Sequence, residues 1–225
     1  MRFPGPERYG AKIPDDERDA LNRKIEELEA GNRDLFLEQG LDKWHFETLE
    51  EEHGTEHLTK LKSRKVFEHD LEWELKLIRG EAQEKRKGIR PLEEISLISI
   101  DLDHFKQIND MLGHAAGDEV LRKVSALLLE SVREEDTVAR FGGEELMILM
   151  RGADTAVAAR HAEELRAKIE QLSFDTYPGL KVTASFGVAS SKLATDEKTL
   201  LEEVDRALYA AKHAGRNRVE ARRNK

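Results

Sequence analysis

Thr137-Val138-Ala139-Arg140-Phe141-Gly142-Gly143-Glu144-Glu145-Leu146-Met147-Ile148-Leu149-Met150 sets two short apolar runs around a Gly-Gly pair and two carboxylates. Two β-like runs separated by Gly-Gly read as a hairpin. The glycines allow a tight turn and let a ligand approach the backbone closely. The carboxylates open the second strand. Neighbouring strand residues point to opposite faces, so Glu144 and Glu145 are expected to do different jobs. Taken alone, the stretch also fits an ordinary hairpin with a solvated acidic tip.

A second run gives the turn a context. Glu94-Ile95-Ser96-Leu97-Ile98-Ser99-Ile100-Asp101-Leu102-Asp103 reads as a strand ending in two aspartates. His104-Phe105-Lys106-Gln107-Ile108-Asn109-Asp110 follows, then Gly113-His114 and Gly117-Asp118. Carboxylates at a strand end beside a Gly-Gly-acid turn suit a Mg²⁺–phosphate site. Mg²⁺ is a hard ion, usually held by one or two carboxylates plus substrate phosphates.

The 225 residues allow one domain of ordinary size plus a modest extra segment. Hydrophobic residues make up 39% and charged residues 37%, which implies a real core under a highly charged surface. No run approaches the ~18 apolar residues of a membrane span. Met1-Arg2-Phe3-Pro4-Gly5-Pro6 has no apolar region of a secretory signal. The chain has no cysteine, which excludes disulfides and thiolate metal sites and fits a cytoplasmic protein. A net charge of −9 argues against a long nucleic-acid groove. It leaves room for a nucleotide, because a metal and a few cations can neutralise one triphosphate.

Residues 1–14 are rich in Pro and Gly and read as a flexible arm. Asp15 or Asp16 is a candidate N-cap. Leu21, Ile25, Leu28 and Leu35 fall at coiled-coil spacing, with Asn32 at a core step. The spacing fits either a dimerisation helix or an amphipathic helix packed on its own domain. Leu58, Leu61, Phe67, Leu71, Leu75 and Ile78 predict one helix over 55–79, and 80–91, with Lys85-Arg86-Lys87, an exposed loop. Beyond it the pattern predicts a strand at 95–101 and helices at 104–111 and 117–132. The hairpin at 137–150, a helix at 154–171, a strand at 182–189 and a helix at 197–213 ending before Gly215 complete it. The fold class expected is α+β, with helices on a central, mostly antiparallel sheet and an N-terminal helical extension.

With these residues in hand, 56–219 resembles the GGDEF-domain diguanylate cyclases. Gly142-Gly143-Glu144-Glu145-Leu146 resembles the signature turn. Residues 101–110 resemble the D-x-D-x-F-K-x-x-N-D run, and 113–118 the G-H-x-x-G-D. Ser185-Phe186-Gly187-Val188-Ala189 is similar to the S-x-G strand. Asp205-Arg206-Ala207-Leu208-Tyr209-Ala210-Ala211-Lys212 with Gly215-Arg216-Asn217 is similar to the closing motif. The resemblance implies a nucleotidyl-cyclase-like palm in 55–225 that condenses two GTP into cyclic di-GMP. It also implies a homodimer, for which the spacing within residues 1–54 offers a regulatory or dimerisation segment, while the composition points to a cytoplasmic chain with no nucleic-acid or membrane partner.

The resemblance also implies roles. Asp101, the Leu102 carbonyl and Glu144 would hold two Mg²⁺ per active site, with Mn²⁺ able to substitute. Glu145 would act near the second metal or the attacking hydroxyl. Asn109 and Asp118 would read guanine, since a carboxylate accepts from its N1–H and N2–H₂. The backbone N–H groups of His104, Phe105 and Lys106 would cradle phosphates. Lys106, Lys212 and Arg216 would meet the triphosphate charge. Arg133 and Asp136 fit an R-x-x-D inhibitory site for cyclic di-GMP. Departures are Leu146 for Phe, Glu144 for Asp, and Lys60 and Ser63 for the Gly and Asn of the leading motif at 56–65. The other reading is a catalytically silent receptor for cyclic di-GMP or GTP.

Overall fold

Ile95–Leu102 is buried along its whole length, as a strand covered on both faces must be. It is β2, the centre of the sheet in the computed structural model, which describes residues 54–82 and 92–222. The N-terminal arm, its caps, the Leu21–Leu35 seam and Lys85-Arg86-Lys87 lie outside the described residues. Around β2 stand β1 (Lys62–Ser63), β3 (Thr137–Arg140), β4 (Glu145–Arg151), β5 (Ala184–Ser190) and β6 (Val219–Ala221), in the order β1-β3-β4-β2-β5-β6. The three inner pairings are antiparallel and the two outermost are parallel.

Among the described residues five helices flank the sheet: α1 (Arg64–Ile78), α2 (Phe105–Leu112), α3 (His114–Ser131), α4 (Thr155–Glu170) and α5 (Glu197–His213). Even-numbered residues of β2 and β4 face α2, α3 and α4, with Ile98, Ile100, Val120, Val124, Ile148, Ala162 and Leu165 in one core. Odd-numbered ones face α1 and α5, with Phe67, Leu71, Leu97, Met147, Leu149, Leu200 and Val204 in the other. The period of two along each strand thus sorts the residues onto two faces. Gly187 on β5 permits the second face to close. A Cβ there would stand 2.3 Å from the Leu208 backbone N and 2.4 Å from the Val204 carbonyl.

The single helix expected over 55–79 is corrected. Residues 55–61 form a turn and 62–63 a short strand, and the helix starts only at Arg64. Ser63 is its N-cap, its side chain accepting from Val66 N at 3.4 Å, so the apolar spacing of Leu58 and Leu61 runs on beyond the helix. Lys60 adopts φ 62, the left-handed conformation that suits glycine. The turn survives because the Lys60 N–H donates to the Glu56 carbonyl at 2.8 Å and the Glu56 side chain caps Thr59 N at 2.9 Å. α1 is then fastened to the sheet by polar contacts as well as by its apolar stripe. Thr137 Oγ1 donates to Asp70 at 2.8 Å, and Arg151 pairs with Glu74 at 2.8 Å, both partly buried.

Candidate active site

The register of the sheet decides which acids meet. Asp101, near the end of β2, is the cross-strand partner of Glu145 on β4 and of Ser185 on β5. Directly opposed side chains lie within about 5 Å at Cβ, so Asp101 and Glu145 share the α1/α5 face. Glu144 stands one residue earlier, in the turn. Its carbonyl accepts from Leu102 N at 3.4 Å, which seats the Glu144 backbone against Leu102. The sequence expectation that the two glutamates differ in role has this geometric basis.

The hairpin expected at 137–150 forms, with β3 and β4 paired antiparallel. Residues 141–144 connect the strands, with Phe141 N and Gly142 N both donating to the Glu145 carbonyl, at 2.8 and 3.3 Å. Neither Gly142 nor Gly143 takes a positive φ. A Cβ on Gly143 would meet nothing within 4 Å. The fold alone does not demand glycine there; what it leaves is bare backbone at the tip. Arg140 stiffens this loop. Its guanidinium donates to the Gly142 carbonyl at 3.1 Å and to the Gly143 carbonyl at 2.9 Å, and pairs with Glu56. Sequence reasoning missed Arg140, although its place just before Gly-Gly was the signal.

Asp101 is 8% exposed, and Lys212 Nζ on α5 stands 2.7 Å from its Oδ2. Burial raises its pKa, the ammonium works against that, and the neighbouring Glu145 and Asp103 carboxylates add to the rise. Burial prevails because removing an ion from water costs more than one half-exposed ammonium returns. Asp205 on α5 is raised for the same reasons, burial first and Glu145 second. Between α1, β4 and α5 lies a cavity of about 290 Å³, lined among others by Arg64, Phe141, Glu145, Asp205, Tyr209 and Lys212. Arg64, Asp205 and Tyr209 had no role in the sequence reading.

α2 begins beside this strand end. Its N-cap, His104, takes φ 59 and offers no side-chain cap, unlike α1, α4 and α5, which Ser63, Asp154 and Asp196 cap. A helix start without a side-chain cap leaves its first N–H groups to another acceptor. The Phe105 ring is buried, so its contribution to a ligand would come from the backbone. Lys106 is exposed. Further along, Asn109 packs against α3. A Cβ on Gly117 would stand 2.1 Å from Asn109 Oδ1, so the second glycine of G-H-x-x-G-D makes room for the Asn109 amide. Half-buried Asp118 is the next residue. The structure thus brings Asn109 and Asp118 to one corner.

The loop after α5 carries Arg216, exposed and at φ 62, between Gly215 and Asn217, which also have positive φ. Arg133 and Asp136 lie elsewhere, in the turn before β3. Asp136 accepts from the backbone N–H of Arg133 at 3.1 Å and of Arg151 at 2.9 Å. The Arg133 side chain is exposed, 4.0 Å from Glu135. A cavity of about 270 Å³ lies beside them, with Arg160 and His161 of α4 in its wall. Burial pushes the His161 imidazole pKa down.

The donor set at the β2 end suits a hard divalent ion, offering carboxylates and a backbone carbonyl. Among the described residues no three His, Asp or Glu side chains already stand close enough to hold a metal. Such an ion would therefore take further oxygens from a phosphate ligand, as Mg²⁺ commonly does. Among the described residues no helix is long and apolar enough to cross a membrane.

A palm-like sheet with helices on both faces and acids gathered at one end defines the class. A family model for the diguanylate cyclase GGDEF domain matches residues 54–218, and the chain belongs to that family. It is 38% identical to diguanylate cyclase A of Treponema denticola over 76% of this chain and 44% of that protein. It is 36% identical to diguanylate cyclase DosC of Escherichia coli K12 over 77% of this chain and 36% of that protein. The chain therefore spans less than half the length of these relatives. The crystal structure of the GGDEF domain of DgcB from Caulobacter crescentus in complex with c-di-GMP superposes with a TM-score of 0.66. That likeness has 32% identity and covers 75% of this chain and 95% of that one. The structure of that protein's coiled coil and GGDEF domain gives 0.68 at 30% identity, covering 87% and 100%.

Proposed function

We propose that this chain is a diguanylate cyclase, joining two GTP into cyclic di-GMP with release of two pyrophosphates. The observation that carries the reading is the meeting of Asp101, Glu145 and the Glu144 backbone at one sheet end, with Lys212 at 2.7 Å from Asp101. Asp101, Glu144 and the Leu102 carbonyl would hold Mg²⁺, which lowers the charge on the triphosphate and on the departing pyrophosphate. Everything else falls to the chain's own groups. Asn109 and Asp118 orient the guanine. The N–H groups at the start of α2 and the Lys106 side chain face the phosphates. Lys212 neutralises Asp101 in the free chain and would supply its ammonium to the triphosphate. Arg216 meets the leaving pyrophosphate. Glu145 stands where the 3′-hydroxyl loses its proton as its oxygen attacks the α-phosphorus and pyrophosphate leaves.

Each domain holds one GTP under this reading, so two copies must meet for both bonds to form. Residues 1–54 would set that meeting. The likeness to a structure comprising a coiled coil and a GGDEF domain supports a helical N-terminal segment. Arg133 is proposed to bind cyclic di-GMP and inhibit the enzyme, with Asp136 shaping the turn that presents it. Purified protein with GTP and Mg²⁺ is expected to release pyrophosphate and cyclic di-GMP, with a rate that rises more than linearly with protein concentration. Binding of cyclic di-GMP without any GTP turnover, seen by calorimetry and mass spectrometry, would identify a silent receptor instead.

A further inference from the structure

Asp103 lies two residues beyond Asp101, yet its carboxylate is fully engaged. It is 5% exposed. Oδ1 accepts from Ser185 Oγ at 2.7 Å, and Oδ2 accepts from Thr183 Oγ1 at 2.7 Å and from the Asn217 backbone N–H at 3.0 Å. The last bond crosses from the end of β2 to the loop that carries Arg216. That loop needs holding. Gly215, Arg216 and Asn217 have φ of 113, 62 and 46 in succession. Residues other than glycine keep such conformations only where the surroundings impose them. The Asn217 side chain supplies a second hold on α4, accepting from Arg166 at 2.9 Å and donating to Glu170 at 2.9 Å. Arg216 N donates to the Ala211 carbonyl at 3.1 Å. The side chain of Arg216 is exposed between these anchors.

We infer that Asp103 is a positioning residue that ties the Arg216 loop to the strand end carrying Asp101, and so fixes the cation against the acids. Its oxygens are spent on hydroxyl and amide donors, which is why the second acid of this Asp-x-Asp pair takes no part in holding a metal. An Asn could still serve the Asn217 N–H through its Oδ1 and donate its NH2 to the Ser185 hydroxyl, which also accepts, so the tie is cut only when both oxygens are removed. This inference rests on the proposed contact of Arg216 with the triphosphate, so its test has two readouts.

The first readout is a double-mutant cycle on the full chain. Asp103→Ala and Arg216→Ala should each raise KM for GTP, on the order of 10-fold for a displaced positioning group. The double variant should be no worse than the poorer single one, because both lose the same cation. Multiplying effects would overturn the clamp. The second readout is hydrogen exchange at the Asn217 amide, which needs no substrate. Asp103→Ala should speed it at least 10-fold relative to amides in the centre of β2. Unchanged exchange would also overturn the clamp. If Arg216→Ala were silent while the Asn217 amide still lost protection, the clamp would stand and the phosphate role of Arg216 would fall. Should Asp103→Ala fail to fold, Thr183→Val removes one donor from the same oxygen and should show the same pattern at smaller size.

Discussion

Asp101 and Asp136 are both aspartates near a strand terminus, but they are held in opposite ways. Asp101 is gripped by a side chain, Lys212, and stands among other carboxylates, so burial and repulsion raise its pKa. Asp136 is gripped by two backbone N–H groups, and its job is to close the turn before β3 and receive the end of β4. A carboxylate held by a movable ammonium can exchange it for a divalent ion. A carboxylate held by the main chain cannot leave without loosening the fold. The first region holds its acid through side chains alone. The second is organised to present one exposed side chain, Arg133.

The sharpest way to break this contrast is Asp101→Asn. Activity should fall on the order of 10²–10³-fold or more, the scale for losing one electrostatic stabiliser. Thermal stability should not fall with it. Because the folded pKa of Asp101 lies above its unfolded value, the ionised form opposes folding. Stability of the wild type therefore declines as pH rises from the ordinary carboxylate range through the raised value, and the variant should lack that decline. A Tm series against pH in metal-free buffer measures it. A variant less stable than wild type near neutral pH would make Asp101 a structural residue like Asp136.

Gly117→Ala comes next. The added methyl displaces Asn109 and presses on the buried Phe105 ring, 3.0 Å away, and should raise KM for GTP on the order of 10-fold. Steady-state kinetics with GTP decides, and an unchanged KM would detach Asn109 from guanine. The other end of the comparison is tested by a pair. Arg133→Ala should weaken product inhibition about 10-fold or more and leave Tm unchanged, since a charge-assisted bond is worth about 1.5–3 kcal/mol. Asp136→Ala should cost about 1–3 kcal/mol of stability, because the N–H groups it serves lose their acceptor. Denaturant unfolding separates the two, and equal destabilisation would erase the distinction drawn here. The smallest effect is expected from Lys60→Gly. Relief of the left-handed backbone, partly offset by a freer unfolded chain, should stabilise by about 0.5–1 kcal/mol, read as a small rise in Tm.

Much of this was legible beforehand. Ala158, Ala162, Leu165 and Ile169 repeat at 3.6-residue spacing and are all buried on α4, because one face of a helix must leave water. Leu146, standing for the family's Phe, is fully buried, as a strand residue of that parity should be. The misses also have physical causes. Leu58 and Leu61 continued a helical spacing that Ser63 interrupts, and a cap outranks a period when it sits inside one. Val219–Ala221 is too short for alternation to register as a strand. The roles of Arg140 and Asp103 depend on partners at distant positions, such as Glu56 and Asn217, and no local pattern encodes those.

By itself the sequence determined most of the elements, the family and the short list of charged residues worth watching, because periodicity, caps and motif spacing are local properties of the chain. Only the tertiary structure decided how those residues are used. The strand register put Glu145, not Glu144, across from Asp101. The packing of β5 against the strand end turned Asp103 from a second acid into an anchor. Pairing between distant segments is fixed by the collective burial of both sheet faces, and that is a property of the folded whole.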